Sequence, residues 1–350
     1  MTLPSLIAEL AAARHLSDNQ VGSAVEQIVD ETVPAALKAD FLCHLALKGE
    51  TVEEITAFAR ALRDKAIQPP LDPAWRNAHP ILDVCGTGGD RLNTFNISTT
   101  VAIICASAGV AVAKHGNRAI TSQAGSADVL EALGIKIDLP PAEAARSLQE
   151  RNFAFFFAPN YHPAFKHIGA ARKLCAERGQ RTIFNFLGPL LNPARPDTQL
   201  VGVPRPELCE PLGRVLQSLG ARRGMVVSGR VTSAEAVRHL DELSTLGENT
   251  VAEFYQERGF ASSVLDGAHF PLQPATLADL AGGTREDNAE IIRNILRGDE
   301  RGPKRDAVLL NAAAGLFVAN HTRTLSEGWD LAAKLIDGGE AFKKLDELKA

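Results

Sequence analysis

The feature that most narrows the possible folds is a change of periodicity near residue 68. Before it, apolar residues recur at helical spacing in segments 6–13, 21–29, 35–47 and 55–67, with Ser17 and Thr51 placed as N-caps. The stretch Gln68-Pro-Pro-Leu-Asp-Pro73 breaks that pattern, because proline supplies no backbone N–H to a continuing helix, and it reads as a linker. After it, short β-branched or aromatic runs at 81–85, 110–113, 153–158, 200–203 and 224–227 alternate with helical segments. Alternation of this kind predicts an α/β fold with a mostly parallel central sheet flanked by helices. The run Phe153-Ala-Phe-Phe-Phe-Ala158 suits a strand buried on both sides. Residues 163–192 read as mostly helical, which leaves open whether they pack on the sheet or return to the first helices.

A chain of 350 residues can bury one large core or two ordinary ones. Its net charge of −5, with basic residues scattered, argues against nucleic acid as the main partner, since phosphate-backbone binding leaves a basic footprint. Five widely spaced cysteines, without metal-ligand spacing, fit a reduced compartment better than a disulfide framework. The first residues lack a basic start, and Glu9 interrupts their apolar stretch, so no signal peptide is expected. The longest apolar run, 101–113, is shorter than the roughly 20 residues of a membrane span. The expectation is a cytoplasmic protein with no membrane partner.

Chemistry concentrates in two stretches. In Asp83-Val-Cys-Gly-Thr-Gly-Gly-Asp-Arg-Leu-Asn-Thr-Phe-Asn-Ile-Ser-Thr99 a strand enters a glycine-rich loop, and residues 96–99 then open an apolar helix. Glycines let backbone N–H groups approach a ligand, and a helix N-terminus favours an anion. The spacing matches neither the dinucleotide fingerprint nor the Walker A loop, and on the glycines alone a tight strand-to-helix turn explains it equally well. The second stretch, residues 112–128, leaves another strand and presents Lys114, Asn117, Arg118, Thr121, Ser122 and Ser126. Such a donor set suits a pyrophosphate, although Lys114 taken singly reads as a surface lysine and His115 as a structural histidine.

Taken together, Gly86-Thr-Gly-Gly-Asp-x-x-x-Thr-Phe-Asn-Ile-Ser-Thr99, Lys114-His-Gly-Asn-Arg118 and Gly125-Ser-Ala-Asp-Val-Leu-Glu-Ala-Leu-Gly134 closely resemble the anthranilate phosphoribosyltransferases. The resemblance resumes at Pro159-Asn-Tyr-His-Pro-Ala-Phe-Lys-His167 and Arg181-Thr-Ile-Phe-Asn-Phe-Leu-Gly-Pro-Leu-Leu-Asn-Pro193. It continues through Asp241-Glu-Leu-Ser244 to Gly302-Pro-Lys-Arg-Asp-Ala-Val-Leu-Leu-Asn-Ala-Ala-Ala314, and so spans nearly the whole chain.

The resemblance implies a small helical domain, residues 1–67 with 163–192 packed back onto it, and a large α/β domain from residues 74–162 and 193–350. It implies a homodimer joined through the N-terminal helices. Phosphoribosyl pyrophosphate (PRPP) would be held by Gly86, Gly89, Asp90, Thr94, Asn96, Ile97, Ser98 and Thr99, with Lys114, His115, Gly116, Asn117, Arg118, Thr121, Ser122 and Ser126. Gly86, Asn117 and Arg172 would contact anthranilate, Arg172 facing its carboxylate. Ser98, Asp241 and Glu242 would hold Mg²⁺, two ions in the family pattern. Pyrophosphate would leave once Mg²⁺ and Lys114 neutralise its charge, and the neutral aromatic amine needs no strong base.

The chain departs from that pattern twice. Between Arg172 and Arg181 it is about three residues longer, which leaves Lys173 and Arg178 as alternatives to Arg172. Residues 230–239 are also longer, and His239-Leu240 stands where a glycine normally precedes the hydrophobic residue before the carboxylates. Pyrimidine nucleoside phosphorylases share the architecture and the phosphate theme, but residues 114–118 and the Asp-Glu pair favour the transferase. A nucleic-acid-binding relative on the same fold is disfavoured by the acidic balance and the complete phosphate loop.

Overall fold

The computed structural model describes residues 1–119, 123–232, 237–256 and 259–349. The chain begins with four helices, α1 (Leu3–Ala11), α2 (Asp18–Val29), α3 (Ala35–Lys48) and α4 (Val52–Asp64). Ser17 and Gln20 close a reciprocal cap on α2, and Thr51 and Glu54 do so on α4, each cap contributing about 1 kcal/mol. Glu54 also accepts the Leu16 N–H at 2.8 Å and pairs with Lys48 at 2.6 Å with both side chains buried, so one carboxylate ties three segments together. Where the sequence suggests only a linker, a short α5 (Pro73–Ala78) follows, with Asp72 capping it and Pro73 at its first position.

The remainder alternates as expected and then changes. In order come β1 (Ile81–Gly86), α6 (Ile97–Ser107), β2 (Ala111–Gly116), α7 (Ser126–Ala132), α8 (Pro141–Arg151), β3 (Phe153–Phe157), α9 (Ala158–Tyr161) and α10 (Gly169–Glu177). They are followed by β4 (Thr198–Gly202), α11 (Cys209–Ser218) and four further strands, β5 (Arg223–Thr232), β6 (Val237–Leu240), β7 (Asn249–Tyr255) and β8 (Gly259–Leu265). Helices α12 (Arg285–Arg297), α13 (Pro303–Val318), α14 (Leu325–Asp337) and α15 (Glu340–Leu348) close the chain. The sheet runs β3-β2-β1-β4-β5-β7-β8, with β6 paired to the end of β5. Pairs from β3 to β5 are parallel, and those among β5, β6, β7 and β8 are antiparallel.

Side chains alternate between two different cores, as strand geometry requires. Leu82, Val84, Phe153, Phe155, Leu200, Met225 and Val227 face a core built with α6, α12 and α13. On the other face, Ala154 and Phe156 pack with α8 and Tyr161. Val201, Val226, Ala252 and Phe254 join a core shared with α1–α4, α10 and α11. The N-terminal helices therefore rest on one face of the sheet. Residues 163–192 supply Ile168, Ala171, Cys175, Ile183, Phe184, Leu187, Leu190 and Leu191 to that same core. They are less helical than their apolar content suggests. Outside α10 they form 3-10 turns at Pro163–His167, Ile183–Asn185 and Gly188–Leu191, because Pro163, Gly179 and Pro189 interrupt longer runs. Among the described residues no helix is long and apolar enough to cross a membrane.

Candidate active site

The loop from β1 to α6 is shaped by left-handed backbone at four residues, Gly88, Arg91, Asn93 and Gly89, all with φ between 53° and 90°. Glycine adopts this without penalty, whereas Arg91 does so at a cost of roughly 1–2 kcal/mol. Tertiary contacts hold the loop in place. Thr94 forms an isolated antiparallel bridge with Ala281, and Phe95 N–H donates to Leu280 at 3.2 Å. Asn96 leads into α6 but does not cap it. Its amide donates to Ala124 at 3.3 Å and accepts from Asn288 at 2.9 Å. The first N–H groups of α6 are thereby left to other acceptors, and Ser98 N–H takes the Glu242 carboxylate at 3.2 Å. Ile97 is buried in the core, so only its backbone can face a ligand, and the buried Thr99 hydroxyl has no partner among the described residues.

Lys114 ends buried in β2, its ammonium donating to the Val84 carbonyl at 2.7 Å and to Ser98 Oγ at 3.3 Å. A lysine that reads singly as a surface residue thus points inward at the start of α6. Asp241 and Glu242 lie just past β6, and Gly88 N–H donates to Asp241 Oδ2 at 2.6 Å. Glycines make this approach possible: a Cβ on Gly86 would come within 2.9 Å of the Asp241 carbonyl oxygen, and one on Gly202 would overlap it. Loss of hydration, then Asp90 and Glu242, raises the Asp241 carboxyl well above its ordinary range. Loss of hydration also pushes Glu242 up to about 7, although Lys114 and Ser98 oppose the shift. Negative charge at Asp241 and Glu242 thus outweighs the one ammonium that opposes it at Glu242, and the imbalance favours cations. Among the described residues no three carboxylate, imidazole or thiol groups form a ready cage. Mg²⁺ keeps waters and takes phosphate oxygens alongside one or two carboxylates.

A row of rings leads away from this cluster. His115 meets His162 edge-on at 5.3 Å, His162 stacks on Phe165 at 4.9 Å, and Phe165 meets Phe184 at 5.9 Å. The Arg172 guanidinium lies 5.6 Å from the Phe184 ring. Burial lowers His115 to about 3 and His162 to about 4, so both rings are neutral near pH 7, and each has a buried Nε2 without a partner among the described residues. The row alternates edge-on and stacked contacts and is largely uncharged, with a cation at its far end. The extra residues after Arg172 extend α10 and pack on α3, with Arg178 bonded to Asp40 at 2.7 Å and Lys173 facing Glu177 across 3.9 Å. Arg172 is therefore the guanidinium at the row. The longer 230–239 segment contributes the β5–β6 arms, and Arg238 donates to the Arg91 carbonyl at 3.0 Å.

The second stretch is only partly assembled around the cluster. Gly116 ends β2 against the Phe155 ring, Asn117 accepts from the Arg118 N–H at 2.8 Å, and Ser126 opens α7. Arg118 is already paired with Asp128 at 3.0 Å and with Glu131 at 2.6 Å, so its charge is largely spent on α7. Thr121 and Ser122 lie outside the described residues. Sequence reasoning missed His162, Phe165 and Phe184, which were quoted within motifs without a role, because their meeting depends on how three separate segments pack.

Two family descriptions match the chain, a glycosyl transferase family helical bundle domain over residues 4–66 and the a/b domain of that family over residues 78–342. The anthranilate phosphoribosyltransferase of Moorella thermoacetica is 47% identical over 350 residues, covering 99% of this chain and 98% of that protein. The crystal structure of the Thermus thermophilus anthranilate phosphoribosyltransferase superposes with a TM-score of 0.86 at 40% identity, covering 99% of both chains. The Saccharomyces cerevisiae enzyme in complex with PRPP and Mg superposes with a TM-score of 0.85 at 25% identity, over 99% of this chain and 96% of that one. A glycine-rich loop, a buried carboxylate pair and a ring row ending in a guanidinium thus occur in a chain that belongs to the anthranilate phosphoribosyltransferase family.

Proposed function

We propose that this enzyme transfers the phosphoribosyl group of PRPP to the amine of anthranilate, releasing pyrophosphate and forming N-(5-phosphoribosyl)anthranilate in tryptophan biosynthesis. The observation that carries this reading is the pairing of two unlike ends in one site. The α6 N-terminus and Lys114 lie at one end of the ring row, and Arg172 at the other. A helix N-terminus and a buried ammonium suit pyrophosphate, and a guanidinium over an aromatic row suits a ring bearing a carboxylate.

The chain's own groups divide the work. Lys114 and the α6 N-terminus stabilise negative charge as the C1–O bond of the ribose breaks. Arg172 holds the anthranilate carboxylate, and His115, His162, Phe165 and Phe184 form the surface along which its ring lies. Positioning then brings the neutral amine to the electron-poor C1 carbon, with no strong base required. The yeast relative is described with both PRPP and Mg. Here Ser98, Asp241 and Glu242 would hold Mg²⁺, two ions in the full site, and when bound it would neutralise the leaving pyrophosphate. Gly86, Gly89, Asp90, Thr94, Asn96, Ile97, Thr99, Gly116, Asn117 and Ser126 complete the PRPP site, with Gly86 and Asn117 reaching toward anthranilate. A homodimer joined through the N-terminal helices is part of the same reading. A reduced, cytoplasmic setting agrees with five free cysteines.

The test is direct. Mixing the protein with Mg²⁺, PRPP and anthranilate should abolish anthranilate fluorescence with stoichiometric pyrophosphate release. No loss of fluorescence, together with phosphorolysis of thymidine or uridine, would overturn the proposal.

A further inference from the structure

The carboxylate pair is followed by two residues whose backbones are gripped by buried side-chain amides. Asn311, on α13, accepts from the Leu243 N–H at 2.9 Å and donates to the Leu243 carbonyl at 2.9 Å. Its second amide hydrogen goes to the Ala307 carbonyl at 2.9 Å, so every donor is used and the amide cannot flip without opposing N–H to N–H. Asn249, at the start of β7, does the same one residue further on. It accepts from the Ser244 N–H at 2.6 Å and donates to the Ser244 carbonyl at 3.1 Å. Both asparagines are fully buried. An asparagine inside the otherwise apolar face of α13 is costly unless each polar atom is paired, and here two of the three bonds go to the backbone of the residue after Glu242.

We propose that Asn311 and Asn249 are positioning residues which together fix the Asp241–Glu242 turn against α6 and so set the affinity of the site for its divalent cation. The inference rests on the metal role proposed above for those carboxylates. Hydrogen bonds to the residues beside the ligands leave the carboxylates themselves free, while the turn loses the rotational freedom that metal capture would otherwise have to remove. Supporting groups of this kind typically govern metal affinity by about 10–100-fold. The anthranilate end, held by α10, should not sense them.

The test uses the full chain with Mn²⁺ as a spin probe and inorganic pyrophosphate, reading free Mn²⁺ by electron paramagnetic resonance. Asn311→Asp keeps the size and the acceptor but turns a lone pair toward the Leu243 carbonyl. It should weaken Mn²⁺ binding by about 10-fold or more, while the KM for anthranilate stays at the wild-type value. Asn249→Asp should behave alike, and it carries the test if Asn311→Asp does not give folded protein by circular dichroism. Glu242→Gln serves as the reference. If it leaves Mn²⁺ binding unchanged, the metal role itself fails. If it weakens binding while folded Asn311→Asp and Asn249→Asp bind Mn²⁺ as wild type, the positioning role fails and the metal role stands.

Discussion

Gly229→Ala tests whether the carboxylate turn must sit where the structure puts it. Gly229 lies on β5, where that strand passes from β7 to β6, and the turn after β6 crosses directly over it. A Cβ there would lie 2.5 Å from both the Glu242 carbonyl oxygen and the Ser244 nitrogen, and 2.6 Å from Ser244 Cβ, where ordinary contact begins at 3.4 Å. The shortfall, 3.4 less 2.5, is 0.9 Å, and it falls on backbone atoms that cannot rotate away. Gly229 shows no left-handed φ, so alanine meets no intrinsic backbone penalty, and the effect is displacement of the turn. Overpacking of this kind costs about 1–3 kcal/mol of stability, which a domain of ordinary stability survives. A misplacement of about 1 Å in a catalytic constellation costs on the order of 10²-fold in rate. The assay is anthranilate fluorescence at limiting and saturating Mg²⁺, with circular dichroism and thermal melting to establish folding. Gly22→Ala on α2, where an added Cβ meets nothing within 4 Å, is the control. Turnover should fall by about 10²-fold at limiting Mg²⁺ and recover in part at saturation. Folded Gly229→Ala with wild-type turnover and Mg²⁺ dependence would refute the reasoning.

Replacing Asp241 by Asn and Glu242 by Gln together should lower turnover by roughly 10²–10³-fold with partial rescue by high Mg²⁺, measured in the same assay; normal turnover at limiting Mg²⁺ would count against the metal role. Arg172→Ala, and Arg172→Lys to a lesser degree, should raise the KM for anthranilate and leave that for PRPP near wild type, because lysine cannot make the bidentate contact; unchanged constants would move the role elsewhere. The pH dependence has a definite sign. Glu242 titrates near 7 without metal, so protons compete with the cation below that value, and the Mg²⁺ needed for half-maximal activity should rise about tenfold from pH 8 to pH 6. Glu242→Gln should reduce that slope to the part Asp241 contributes, and a flat Mg²⁺ requirement in the wild type would exclude the competition.

What could be read in the sequence was local. The glycine loop, Lys114 and the Asp241–Glu242 pair each occupy a few consecutive residues, and the strand before each loop announces itself by β-branched or aromatic content. Phe153 to Phe156 read as doubly buried because neither face of β3 is open. The antiparallel part of the sheet was not legible. β8 leaves most of its residues exposed, and its small and polar side chains carry no apolar alternation to detect. Arg118 was read as a phosphate donor, and nothing in its own motif shows that Asp128 and Glu131 take its charge. The ring row draws on β2, two 3-10 turns and the residue between α9 and the first of them, and no periodicity links those segments. One signal was present and unused. A single asparagine within the apolar run of residues 307–318 is costly to bury, and its cost implies a partner.

The two ends of the site draw their rigidity from different cores. Ile97 and Leu243, which flank the start of α6 and the carboxylate pair, belong to the core that α6 and α13 form on one face of the sheet. Ala171 and Phe184, which fix Arg172 and the far end of the ring row, belong to the core shared with the N-terminal helices on the other face. Packed cores resist deformation, so a disturbance in one is passed on only through the few groups that touch both. The backbone of β2 is one such group, because Lys114 and His115 leave it on opposite faces, and His115 meets His162 before α10. Recognition of the aromatic acid and activation of the pyrophosphate ester can therefore be tuned separately by substitutions in separate cores, yet both must be present before the amine reaches C1. A chain with this layout can act without a strong base, because the attacking aromatic amine is neutral. Its catalytic power lies in holding two rigid halves, and the charges on one of them, in register.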